Sequence, residues 1–481
     1  MRTPAAEVRS APRWGITLPQ VWALISVALP MMVVLGSLGA IDLAYHLRAG
    51  DLMIRTHSFL RTDPFSFTAG GSPWVDQQWG AQLVLAWVFK GLGWGGLALA
   101  HGALVGAIFA FVYLACRATG SPARISAWTS LAAFVAAFVN LSLRPQLLGM
   151  ALFAVTLWLV VGRSRHPGRL VAVPAIVALW ANVHGSFLLG PLLISLAWVE
   201  DVYRNDPRAR RTFLLGVAST AATFLNPFGA RVWSYVIHLS TNSQITANVR
   251  EWQPPSLRGF GGTLFFMSVA VVAVLLARKE RPVAWPTILW IGVFFVIGLT
   301  AARSTAWWAL AAAPPIAGLL GDPARIRQEL PASTLNTAIA FLLVVPCAFL
   351  FPWSFVGTRT DAPGSRVGDA PAGVTRELHK VVRPGDRIFN AQIWGSWFEF
   401  ALPGNPVFVD SRIEVFSQSI WRQYMAVSGG RQGWQAILDR WRVRTLALSP
   451  RQQPDLIPLV RRDPGWALVY EDADGLVFLK R

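Results

Sequence analysis

The chain is poor in charge, in lysine and in cysteine, and each shortage excludes something. Charged residues make up 14% of its 481 positions, against roughly 25% in an ordinary soluble domain. With 54% hydrophobic residues and a mean hydropathy of +0.44, a water-soluble enzyme of this length is not expected. Lysine occurs only at Lys90, Lys279, Lys380 and Lys480, so arginine carries almost all of the formal net charge of +18. That charge lies mostly in short loops between apolar runs, which argues against nucleic acid as a partner. Cys116 and Cys347 both fall inside apolar runs, the pattern of buried thiols rather than of a disulfide or a metal site. Neither GxxxxGK[ST] nor GxGxxG after a strand occurs, so an ATP-driven machine is not expected; HExxH and CxxC are absent too.

What is abundant is apolar length and tryptophan. Spanning a bilayer takes roughly 20 apolar residues, and candidate spans fall at 18–40, 95–116, 125–141, 146–162, 170–184, 186–202, 212–226, 262–277, 283–302, 304–320 and 335–356. The 23 tryptophans suit membrane–water interfaces, because the indole is apolar with one polar N–H. The expected fold is a polytopic α-helical membrane protein of about eleven transmembrane helices with a C-terminal extracytoplasmic α/β domain. Arg2, Arg9 and Arg13 precede the first span, which is too long for a signal-peptide core and is read as an uncleaved signal anchor.

Arginine bias sets the orientation. With 77–91 lying flat at the interface and the N-terminus cytoplasmic, the inner loops hold seventeen Lys and Arg against nine outside. Making 77–91 a span would put RSRHPGR, RNDPRARR and ARKER on the outer face. The expected organisation is a membrane domain over 1–356 with outer loops 41–94 and 226–261, a linker over 357–370, and an α/β domain over 371–481. In that last part the apolar runs shorten to strand length (RIFNA, PVFVD, TLALS, ALVYED, LVFLK) and mix with helical patterns such as VTRELHKVV.

Polar groups gather at the outer ends of the spans. Asp42 directly follows the first span, and a carboxylate at that boundary stays charged only beside water, a cation or arginine. It either caps an interfacial helix or serves chemistry; His46 lies one helical turn on, on the same face. Asp63 and Asp76 both fit turns or caps, and Asp76 alternatively a second-carboxylate role. Further along come Asn140, Arg144 and Gln146, then Asn182, His184 and Ser186, then Asn226 and Glu251, and finally Arg303. His184 reads as a helix-end histidine or a ligand, and Arg144 as a snorkelling side chain or an anion site. Arg303 has apolar flanks on both sides, and its fork of donors matches a phosphate. In the C-terminal part Asp410 and Arg412 follow an apolar strand, as a structural ion pair or a binding edge.

The stretch D-L-A-Y-H-L-R from Asp42, followed by an interfacial helix and the region QQWGAQLVLAWVFKGLGWGGLALAHGALVGAIFAFVYLACRATG, resembles the GT-C class of membrane glycosyltransferases. That class includes protein O-mannosyltransferases, aminoarabinose transferases and oligosaccharyltransferases. The resemblance implies transfer of a sugar from a polyprenyl-phosphate donor to an acceptor on the outer face of the cytoplasmic membrane. It makes Asp42 the base or orienting group for the acceptor hydroxyl, with His46 and Asp76 beside it. Arg303, supported by Arg144 and His184, would hold the donor phosphate; Glu251, Asn182 and Asn226 would meet the acceptor. The C-terminal domain would recognise the acceptor or cover the cavity. A divalent cation is used by some members and not others, so the metal stays open, as do sugar and acceptor: glycan, lipid or protein. Asp42 is followed by Leu, where O-mannosyltransferases carry an Asp-Glu pair, and no WWDYG-like signature occurs. The competing readings are a transporter or flippase of a lipid-linked sugar, and a non-catalytic membrane scaffold.

Overall fold

The computed structural model describes residues 15–35, 38–39, 41–242, 246, 249–280, 282–321, 332–350, 367 and 370–481. The linker expected at 357–370 lies almost wholly outside them, as does the arginine-bearing N-terminal segment.

Each of the eleven apolar stretches contains a helix. They are α1 (Leu18–Val34), α3 (Trp79–Ala118), α4 (Ala123–Ala137), α5 (Pro145–Val161), α6 (Val173–Ala181), α7 (Leu189–Tyr203), α8 (Ala209–Ala222), α10 (Phe260–Ala277), α11 (Trp285–Thr300), α12 (Thr305–Leu320) and α13 (Thr334–Leu350). Two amphipathic helices, α2 (Leu43–Thr56) and α9 (Arg231–Thr241), lie between them. Among the described residues five helical stretches are long and apolar enough to cross a membrane: 79–118, 123–140, 145–164, 185–203 and 260–277. Shorter apolar helices occupy 18–34, 167–181, 285–300 and 334–346.

Local chemistry sets several of the ends. Pro145 starts α5 directly after an extended Arg144; a proline at the first helical position removes only an N–H that would lack a partner. The 77–91 stretch is helical and runs into the next span through Gly93, at φ 61° and ψ −154°. That backbone state favours glycine, so α3 is two helices meeting at a bend. Gly50 brings α2 against α3, because a Cβ there would lie 2.2 Å from the carbonyl oxygen of Gln82.

The C-terminal part carries a four-stranded sheet of β1 (Ile388–Asn390), β2 (Thr445–Leu448), β3 (Trp466–Glu471) and β4 (Leu476–Lys480) in the order β1-β2-β4-β3. β1 and β2 are parallel and the other pairs antiparallel. β1 and β2 are buried throughout, as expected for a parallel pair covered on both faces. The PVFVD segment forms no strand of its own. Val407 instead bridges Ile388 and Ser66 of the first outer loop, and the Phe67 N–H donates to the Val407 oxygen at 3.1 Å. Helices α14 (Ala372–Val381), α15 (Gln392–Ala401), α16 (Gln418–Ser428), α17 (Trp434–Arg440) and α18 (Leu456–Arg462) complete this part.

This part shares a core with the helical bundle. Phe400 meets the rings of Phe89 and Trp94 at 5.5 and 5.9 Å. At the junction Arg412 is 1% exposed and holds Asp410 at 2.5 Å, Asp63 at 2.8 Å and Glu399 at 3.6 Å. Its guanidinium also lies over the rings of Trp74 and Phe65, at 4.7 and 4.9 Å. One cation cannot balance three buried carboxylates. Burial and the adjacent Asp410 push the Glu399 carboxyl well above the usual range, so it stays protonated. Asp410 and Arg412 are thus a buried structural pair, and Asp63, which also accepts the Phe65 and Ser66 N–H groups, ties the first loop to it.

Candidate active site

The cleft lies where the start of α2, the loops before α3 and α10, helix α9 and the turn before α12 meet the segment 411–414. Its volume is about 100 Å³. Asp42 precedes α2, yet its side chain makes no capping hydrogen bond. Its Oδ1 lies 3.4 Å from Arg144 Nε and its Oδ2 3.8 Å from His46 Nε2. Burial alone would raise this carboxyl, but Arg144 and His46 hold it below the usual carboxylate range, so it is ionised.

A chain of charges continues from there. Arg144 Nη1 donates to Glu251 Oε2 at 2.9 Å, and the other oxygen of Glu251 lies 3.5 Å from Arg303 Nη1. Arg303 Nη2 donates to Gln146 Oε1 at 2.7 Å, and its guanidinium lies 4.7 Å over the Trp252 ring. Residues 42, 144, 146, 251 and 303 therefore meet although the sequence separates them by up to 261 positions. Glu251 is the most open member, with 39% of its side chain exposed against 16% and 17% for Arg144 and Arg303. It is the group best able to swing aside for an incoming anion.

Asp76 forms another wall. Gln82 Nε2 donates to its Oδ1 at 2.7 Å, while Oδ2 is buried without a hydrogen-bond partner. Burial pushes this carboxyl up to about 7, against the opposing pull of Gln82 and Arg412. Two carboxylates with protonation set so far apart suit different tasks.

The remaining expected residues divide. His184 sits close to the charge chain, and its Nδ1 accepts from the Ser186 N–H at 3.1 Å. With Nδ1 accepting, the ring proton lies on Nε2, assigned from that bond. His46 is fully buried behind Asp42, its ring 4.0 Å from that of Tyr45, so it reaches the cleft only through Asp42. Asn182 and Asn226 lie apart from the cleft. Asn182 accepts from Trp79 Nε1 at 3.0 Å and donates to the Ala178 and Leu225 oxygens. Asn226 accepts from the Phe228 N–H at 2.8 Å in an Asn-Pro turn.

Two cleft residues were missed from sequence. Tyr235 of α9 donates to Glu414 Oε1 at 2.9 Å, and both line the cleft. Burial raises the Glu414 carboxyl. Glu414 follows Arg412 by two positions, and that charged pair after a buried strand was the signal available. Among the described residues no three His, Cys, Asp or Glu side chains converge on a common point that would hold a metal ion. The cation nearest Asp42 is the Arg144 guanidinium.

The fold of this chain has counterparts among solved structures. It is similar to two structures of the archaeal oligosaccharyltransferase from Archaeoglobus fulgidus. One is the apo form, with TM-score 0.54; the other is AglB in complex with an inhibitory peptide and a dolichol-phosphate, with TM-score 0.58. In both cases the identity is 13%, and the match covers 96% of this chain and 74% of the other. No protein-family model matches the chain, and no curated protein matches its sequence.

Proposed function

We propose that the chain is an integral membrane glycosyltransferase. It takes a sugar from a polyprenyl-phosphate donor and passes it to an acceptor on the outer face of the cytoplasmic membrane. The single observation that carries this reading is the alternating chain Asp42–Arg144–Glu251–Arg303 at the cleft. The likeness to an oligosaccharyltransferase with dolichol-phosphate bound supports a lipid-phosphate donor. Eleven spans, a cytoplasmic N-terminus and an outer C-terminal domain over 371–481 belong to the same reading, supported by the arginine bias.

In this reaction the donor phosphate displaces Glu251 and is held by Arg303 and Arg144, whose forks suit its oxygens. His184 offers an Nε2–H donor to the same group. The acceptor oxygen forms its bond to the anomeric carbon as the carbon–phosphate-oxygen bond breaks, and that electron pair stays on the phosphate. Asp42 orients the acceptor hydroxyl through its permanent charge. Asp76, titrating near neutrality, takes the proton. Both arginines stabilise the negative charge that develops on the leaving phosphate.

The test uses purified protein in nanodiscs with radiolabelled polyprenyl-phosphate sugars and a cell-envelope extract. Transfer of label that disappears in Arg303→Ala supports the reading, and the labelled product identifies the acceptor. Binding of donors without release of sugar from any of them contradicts it and favours a transporter or scaffold.

A further inference from the structure

A second cavity, larger than this cleft, lies away from it. Arg144 and Arg163 flank opposite ends of α5, whose 17 residues separate them by roughly 25 Å. At the Arg163 end a cavity of about 490 Å³ opens between the ends of α5, α7 and α12 and the starts of α8 and α11. That volume is in the usual range for small-molecule sites. Its walls are of two kinds. One is apolar, with Val160, Leu170, Leu196, Trp290 and Leu319; the other is charged, with five arginines and three acids.

The acids there are already used. Arg163 holds Glu200 and Asp201, each at 2.8 Å. Arg204 takes the other oxygen of Glu200 at 2.7 Å, Thr212 donates to Asp201 at 2.7 Å, and Arg208 pairs with Asp206 at 2.8 Å. Arg165 and Arg211 also line the cavity, and neither has an ion pair among the described residues. Both are exposed. Among the described residues the rim thus carries two cations without an ion-pair partner, directly beside an apolar hollow at the end of α5 opposite the cleft.

We propose that this cavity binds an anionic phospholipid. Arg165 and Arg211 hold its phosphodiester headgroup, and its acyl chains lie along Leu170, Leu196 and Trp290. A free phosphate would satisfy the arginines but leave the apolar walls wet, whereas a phospholipid matches both. The inference is independent of the transfer reaction, because no residue of the cleft takes part.

The test is native mass spectrometry of the purified full chain titrated with phosphatidylglycerol and with phosphatidylcholine of the same acyl chains. The variants are Arg165→Gln/Arg211→Gln and, as a same-face control, the exposed Arg278→Gln. Arg165 and Arg211 make no ion pairs among the described residues, so the double variant should fold, and its thermal midpoint checks this. Wild type and Arg278→Gln should retain phosphatidylglycerol in preference to phosphatidylcholine. The double variant should lose that preference by roughly 25-fold, from two arginines each worth about fivefold near an anionic headgroup. Equal weakening in Arg278→Gln would mean general surface attraction and would overturn the proposal. So would binding of inorganic phosphate with the same arginine dependence but no preference between the two lipids, since the site would then take free phosphate.

Discussion

Replacing Asp76 with asparagine isolates the energetic strain at the cleft. Asp76 is 2% exposed, with one oxygen bonded to Gln82 and the other unpartnered. Its carboxyl is raised from 3.8 to about 7. Roughly three units at about 1.4 kcal/mol each make the ionised form cost about 4 kcal/mol in the folded chain. The folded state therefore binds this proton more tightly than the unfolded state. Stability from this group is fully present at low pH, is lost as pH rises from about 4 to about 7, and is level above that. Asparagine keeps the oxygen that Gln82 donates to and cannot ionise. Thermal unfolding in detergent, followed by tryptophan fluorescence from pH 4.5 to 8.5, should show the wild type losing stability with pH faster than Asp76→Asn. The variant should be the more stable protein at pH 8, with little difference near pH 4.5. Parallel curves across this range would refute the reasoning, because Asp76 would then be ionised in both states.

Other expectations follow from the geometry. If Asp76 takes the acceptor proton, transfer should rise with pH through about 7, and a profile flat between pH 6 and 8 would remove it from that role. Arg412→Met strands Asp63 and Asp410 in a buried site; a loss of about 3–5 kcal/mol should appear as a lower thermal midpoint and faster proteolysis of the C-terminal part. Gly395→Ala should also destabilise, because its Cβ would fall 2.3 Å from the Val409 oxygen and 2.6 Å from the Asp410 Cα; an unchanged midpoint would show that the segment moves freely. Arg303→Lys keeps the charge but cannot reach Gln146 and Glu251 with one planar fork, so transfer should fall at least tenfold while the protein folds normally.

Much of the helical layout was legible because apolar runs record burial directly: every stretch expected to be a span contains a helix. The strand-length runs RIFNA, TLALS, ALVYED and LVFLK became the four strands, while PVFVD became only two isolated bridges at Val407, one to Ile388 and one to Ser66 of the first outer loop. The stretch 77–91 was readable as a helix, but its union with the next span depends on the backbone at Gly93. At the cleft, isolated charges beside apolar flanks marked Asp42, Arg144 and Arg303. Their meeting through Glu251 is a tertiary fact with no local trace. Glu414 escaped notice because its partner Tyr235 lies 179 positions away. Asn182 and Asn226 show the converse: polar residues at helix ends whose hydrogen-bonding capacity the backbone largely consumes. The Asn-Pro pair at 226–227 already carried that turn signal in the sequence.

The most direct test of the account compares donor binding with turnover in Asp42→Asn. Asparagine keeps the shape of Asp42 beside Arg144 and His46 but removes the charge that orients the acceptor. With a radiolabelled polyprenyl-phosphate sugar in nanodiscs, the variant should bind donor within a fewfold of wild type while transfer falls at least a hundredfold, about 2.7 kcal/mol of transition-state stabilisation. Transfer at the wild-type rate by a folded Asp42→Asn protein would contradict the central role assigned to this cleft.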